Sequence, residues 1–108
     1  MFLPHTSKFT ASVEDKTQAD GAQVIDVSGS HYLGRWELQF SLSSTPLAGT
    51  MTIGIRMPGA DGFSDLATTV NLVTGPLAVS FDATIEAIRL TPTSLSVGVS
   101  YSAVVVGS

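Results

Sequence analysis

The side chains able to do chemistry are few, and their spacing assembles none of the familiar reactive sets. His5 and His31 are the two imidazoles. Metal binding or proton transfer by histidine needs partners at fixed geometry. Neither has a second histidine nearby in the chain, so both read as surface groups. Asp61 and Asp65 bracket DGFSD, whose carboxylate and carbonyl oxygens could in principle meet calcium. The EF-hand spacing is absent, and an Asp-Gly turn held by its own side chain accounts for Asp61. Asp82 and Glu86 could form the carboxylate pair of a glycosidase, but no aromatic-rich cleft accompanies them. Ser28, Ser30 and the other serines lack a G-x-S-x-G elbow. GSHYLGRW lacks the Gly-Lys-Ser/Thr end of a phosphate loop. The chain has no cysteine, which excludes thiolate nucleophiles, thiolate zinc sites and disulfides. The expectation is a protein that is not an enzyme, with no cofactor and no metal.

Aromatic residues offer a second kind of chemistry. Trp36, Tyr32 and Tyr101 could stack on a sugar, yet Trp36 shares its face with Leu38, Phe40 and Leu42 and reads as core. Tyr32 is the aromatic that looks exposed, and one ring is not a platform. Charge is thin: 13% of the 108 residues are charged, about half the usual share. The formal net charge is −4, and the five cations Lys8, Lys16, Arg35, Arg56 and Arg89 form no run. A nucleic-acid or anionic-membrane surface needs clustered cations, so neither partner is expected. A surface so poor in charge guards weakly against association and suits a chain packed against partners.

The elements that must position these groups are strands. In RWELQFSL, residues 35–42, Trp36, Leu38, Phe40 and Leu42 alternate with polar residues, the period of a half-buried strand. Similar alternation predicts strands near 9–13, 22–27, 50–57, 67–73, 77–81, 86–91 and 95–106. EDKTQADG (14–21), SGSHYLG (28–34), STPLAG (44–49) and PGADGFSD (58–65) read as turns. In 82–90 the alternation slips between Ala87 and Ile88, which suggests a bulge. No helix of normal length is visible, and no window approaches a membrane span. About eight strands with turn-rich joints predict an all-β fold, an antiparallel β-sandwich of jelly-roll type. Residues 1–6, MFLPHT, read as an N-terminal arm and 7–108 as one domain. The start lacks the basic region and long apolar run of a signal peptide, so synthesis in a cytoplasm is expected. Ala103–Val106 is apolar on both faces and must lie centrally in a sheet or against another chain.

GTMTIGIRMPGADGF, then AIRLTP, then a Ser/Val-rich strand ending VVVG give an order of strand, Asp-Gly loop, Ile-Arg strand and closing Val-Gly strand. Over residues 49–107 this order resembles the small β-sandwich structural proteins of tailed-bacteriophage virions, capsid decoration or cement proteins and tail-associated modules among them. The resemblance implies a non-enzymatic virion subunit, made in the host cytoplasm and bound to a major capsid protein or other virion subunits. The doubly apolar run Ala103–Val106 and the thin charge favour a symmetric homo-oligomer, a trimer being one such form. Contacts are expected from the arm (Phe2, Leu3, His5) and from the loop residues Asp61 and Phe63. The alternative is a receptor- or carbohydrate-binding module of a tail fibre or baseplate, distinguished by exposed aromatics near Tyr32 or Phe63.

Overall fold

The computed structural model describes residues 9–30 and 33–108. Its strands are β1 Phe9–Lys16, β2 Gln23–Asp26, β3 Arg35–Leu42, β4 Thr50–Arg56, β5 Ser64–Asp65, β6 Val70–Asn71, β7 Ala78–Asp82, β8 Ala87–Thr93 and β9 Tyr101–Gly107. They form two antiparallel sheets, ordered β1-β9-β3-β7 and β2-β8-β4-β5, with β6 also pairing β4. Face to face, the sheets make the expected β-sandwich. The helical elements among the described residues are two single 3-10 turns, Gln18–Asp20 and Ser28–Ser30. Neither is long enough to cross a membrane. The expected arm, with Phe2, Leu3 and His5, lies outside the described residues, as do His31 and Tyr32.

Alternation positions the core as read. On β3, Trp36, Leu38 and Phe40 are buried, while Arg35, Glu37, Gln39 and Ser41 face water. Met51, Ile53 and Ile55 of β4 and Ile88 and Leu90 of β8 close over them from the other sheet. Burying each such side chain is worth roughly 1.5–3 kcal/mol. A slip of one residue would turn the whole set outward, so the pattern also fixes register. The Val run of β9 is resolved by central placement between β1 and β3. Ala103 and Val105 point into the core, whereas Val104 stays 39% exposed on the outer face.

The strand β1 runs to Lys16, into the stretch expected as a turn at 14–21, and Ser64 and Asp65 of the expected turn 58–65 form β5. Three further stretches depart from the sequence expectation. The predicted strand at 67–73 shrinks to β6, because Asn71 Oδ1 accepts from the backbone N–H groups of Val73 and Thr74 and folds a turn. The predicted closing strand 95–106 begins at Tyr101, since Val99 N–H donates to Ser96 O and closes a turn over 96–99. Finally, β8 holds an unbroken register from Ala87 to Pro92 with no bulge. Ala87 and Ile88 are both buried because small Ala87 lies on the outer face between Asp26 and Arg56, its pairing partners.

Pro92 sits in a central strand yet breaks no ladder. Its register position lies beyond the end of β2, which pairs with β8 only as far as Leu90, the circumstance in which a strand tolerates proline. Its carbonyl accepts from Gln18 Nε2 at 2.9 Å, and Gln18 Oε1 accepts from Leu95 N at 2.8 Å. The 3-10 turn that carries Gln18 is braced by Thr17 N donating to Asp20 Oδ2 at 2.7 Å. That backbone hydrogen bond holds the Asp20 carboxyl below its ordinary pKa. One amide thus pins the start of the β8–β9 loop at both its donor and its acceptor. Gln18→Ala is expected to cost about 1–2 kcal/mol and to speed exchange of the Leu95 amide, checked by urea unfolding and hydrogen exchange. Unchanged exchange would remove the clamp from the account.

Tyr101 packs at the top of the core, 1% exposed, and its hydroxyl has no hydrogen-bond partner among the described residues. Burial, with a smaller contribution from Asp20, raises its pKa above the ordinary 10.0. Folding therefore favours the neutral phenol. The contribution of this group to stability is intact below pH 10 and is lost as pH rises beyond it. Removing an unsatisfied buried hydroxyl with its shape kept is neutral or favourable. Tyr101→Phe is expected to match or exceed wild-type stability by up to about 1 kcal/mol at pH 7, with a wider gap above pH 10. Urea unfolding at pH 7 and pH 10.5 checks this.

Candidate partner-binding site

Strand direction divides the molecule into two ends. One end holds the β2–β3, β4–β5 and β7–β8 connections together with Phe9 and Ser108. The other holds the β1–β2, β3–β4, β6–β7 and β8–β9 connections. Asp61 and Phe63, two of the predicted contact residues, lie on the β4–β5 connection at the first end. Phe9, which follows the predicted arm, lies at the same end, paired with Gly107.

The structure treats Asp61 and Phe63 differently. Asp61 is exposed and Phe63 half-buried. The Phe63 ring lies on the outer face of the second sheet, where the guanidinium carbons of Arg89 and Arg56 stand 4.8 Å and 5.5 Å from its centroid. Cation–aromatic contacts of this kind are worth about 0.5–1 kcal/mol each at such partly exposed sites. Each arginine is also matched by an acid: Arg89 Nη2 lies 3.3 Å from Asp65 Oδ1, and Arg56 Nε lies 3.7 Å from Glu86 Oε2. Gly54 of β4 leaves the room this needs, since a Cβ there would stand 3.1 Å from Asp65 Oδ1. Asp65 therefore belongs with Arg89 and not with Asp61. Asp82 pairs with Arg35 at 3.6 Å on the other sheet, apart from Glu86. No cluster of three acids or histidines that could hold a metal exists among the described residues.

The result is a braced patch of ring, two guanidiniums and two carboxylates, nearly balanced in charge. The Phe63 ring is half-buried with both guanidiniums beside it. Sequence reasoning picked out Phe63 and missed its partners. Arg56 and Arg89 are distant in the chain and meet because β8, β4 and β5 are neighbours in the sheet.

At the opposite end two large apolar side chains stand out among exposed serines and threonines. Leu47 and Val97 are fully exposed, at 94% and 103% of their reference areas. They crown two loops that are fastened together: Ser96 Oγ accepts from Leu47 N and Ala48 N, both at 3.0 Å, and Ser96 N donates to Ala48 O. Pro46 and Leu95 anchor the loops from below as buried residues. Beside the crown lies a shallow cleft of about 330 Å³ lined by Leu42, Pro46, Leu72, Val73 and Leu77, among others. On the other flank, the 3-10 turn and Leu95 line a second of about 350 Å³. Half of the signal was present in the sequence: STPLAG reads as a turn and puts Leu47 at its apex, whereas LSVGV alternates like a strand and hides the turn that exposes Val97.

The fold defines the class as an antiparallel β-sandwich. No protein-family model and no curated protein sequence matches the chain. Among solved structures, it is similar to the SPBc2 prophage-derived protein YomS, with TM-score 0.57 and 12% identity over 99% of this chain and 100% of that one. It is also similar to the Yersinia pseudotuberculosis-derived mitogen, with TM-score 0.52 and 11% identity over 97% of this chain and 86% of that one. At such identities the likeness is one of fold.

Proposed function

We propose that this protein is a non-enzymatic structural subunit of a tailed-bacteriophage virion, a capsid decoration protein that stabilises the particle by contact. The observation that carries this reading is the apolar crown, in which hydrogen bonds hold Leu47 and Val97 out in water on two fastened loops. We read two large apolar groups exposed on a braced support as a docking surface. The charged Phe63 patch stands at the other end, the end shared by Phe9, which follows the expected arm (Phe2, Leu3, His5). Contacts at both ends would let one molecule tie two virion subunits together, and many copies would add their effects.

Two further features support the reading. Counting β5 and β6 as one interrupted strand, we read the sheet orders as 1-8-3-6 and 2-7-4-5, a jelly-roll-like order of a kind found in viral capsids and also in lectins. A prophage-derived protein also shares the fold. The tail-fibre or glycan-binding alternative draws no support from Phe63, whose ring is capped.

The test is particle stability. Virions lacking the gene are expected to release DNA at lower temperature than wild type, and purified protein should restore the loss on addition. Equal heat resistance with and without the protein would overturn a stabilising role.

A further inference from the structure

Sheet edges expose unpaired backbone groups, and folded proteins blunt them with proline, lysine, bulges or short strands. Three of the four edges here are blunted. Along β1 the register shifts between Val13 and Lys16, with Asp15 at φ 52°. The strands β2 and β5 are four and two residues long. The remaining edge, β7, is AVSFD: five residues in even register with β3, free of proline, lysine and bulge.

The direction of its hydrogen bonds follows from its flanks. Phe40 N donates to Leu77 O, and Ala83 N donates to Gly34 O, both within the β3–β7 register. Antiparallel ladders alternate bonded and non-bonded pairs. The alternate residues Val79 and Phe81 therefore bond β3, while Ala78, Ser80 and Asp82 turn their N–H and C=O groups outward. Among the described residues nothing pairs with these outward groups.

From this geometry we infer that β7 is a self-pairing edge, docking antiparallel against β7 of a second copy across a two-fold axis at Ser80. The register is self-complementary. Ser80 meets Ser80 of the other copy, and Ala78 meets Asp82 in both directions. All three are residues whose backbone groups face out, so each pair exchanges two hydrogen bonds. Between them Val79 falls opposite Phe81 of the second copy as a non-bonded pair, the kind that brings side chains closest.

Val79 and Phe81 are half-buried hydrophobic residues that pack against the core from the inner face of this edge. The opposing sheet there offers only the two-residue strands β5 and β6. Pairing with a second copy covers what these short strands leave open. Charge is also compatible: the Asp82 carboxylates sit at opposite ends of the joint, each 3.6 Å from its own Arg35. The two four-stranded sheets become one of eight.

One strand pair makes a small interface, which places the dimer in the weak class, with dissociation expected in the micromolar range. This inference names the partner for the homo-oligomer expected from the sequence and does not depend on the virion role. Sedimentation velocity from 5 to 500 μM is the test. Wild type is expected to shift from monomer to dimer. Ser80→Pro removes an outward N–H that β3 does not use, so it is expected to stay monomeric with an unchanged circular dichroism spectrum. Ser80→Lys, which keeps the backbone donor but adds charge at the axis, is expected to weaken the dimer at least tenfold. A wild type monomeric throughout, or any oligomer indifferent to both substitutions, would overturn the inference. A trimer indifferent to them would do so while leaving an oligomeric virion subunit in place.

Discussion

Gly107→Ala is expected to be among the most damaging single-methyl changes in this protein. A Cβ at position 107 would stand 2.5 Å from Cζ3 of Trp36, 2.8 Å from Cε3 and 2.9 Å from Cη2. Neither side can give way. The Trp36 ring is fully buried, its Nε1 donates to Ala83 O at 3.0 Å, and Phe9 packs edge-on with centroids 6.1 Å apart. Gly107 is itself held on both sides, opposite Phe9 of β1 and Trp36 of β3. Overpacking of this kind costs about 1–3 kcal/mol, occasionally more, or a fall in Tm of roughly 4–8 °C per kcal/mol for a small domain. Gly34→Ala is the control, because a Cβ there meets nothing within 4 Å, and it should stay within about 0.5 kcal/mol of wild type. Thermal unfolding of both variants decides the matter. Equal stabilities would mean that the first sheet is not locked around Trp36.

The second large effect concerns contact. Replacing Leu47 and Val97 together by serine is expected to leave Tm nearly unchanged, since both side chains are already in water. Binding to gene-deleted particles should fall instead. If docking buries both side chains at about 1.5 kcal/mol each, their loss weakens each contact roughly a hundredfold, and multivalent display steepens the effect. Co-sedimentation at several protein concentrations measures it. Retention equal to wild type would remove the crown from the docking surface.

How far this could be read from the chain varied with the range of the interactions involved. The β3 strand was legible to its ends, because period-two alternation is a local record of which side faces the core. The sandwich followed from repeating that pattern with turn residues between. Leu95, Val97 and Val99 misled because they alternate like a strand; a backbone turn at Ser96–Val99 instead buries the first and last and expels Val97. The Phe63 patch was half legible. Its Asp-Gly loop announces itself, whereas the pairing of Arg56 with Arg89 around the ring depends on the order in which distant strands assemble. The β7 edge was hidden for the same reason, since nothing local in AVSFD tells an edge from a centre.

The central claim is that this chain is a component of a virion, and protein composition tests it most directly. Phage particles released from cells that carry the gene would be purified through a density gradient and quantified by mass spectrometry against the major capsid protein. The account predicts a fixed copy ratio that survives a high-salt wash. Absence from purified particles, with the protein abundant in the infected-cell lysate, would contradict it.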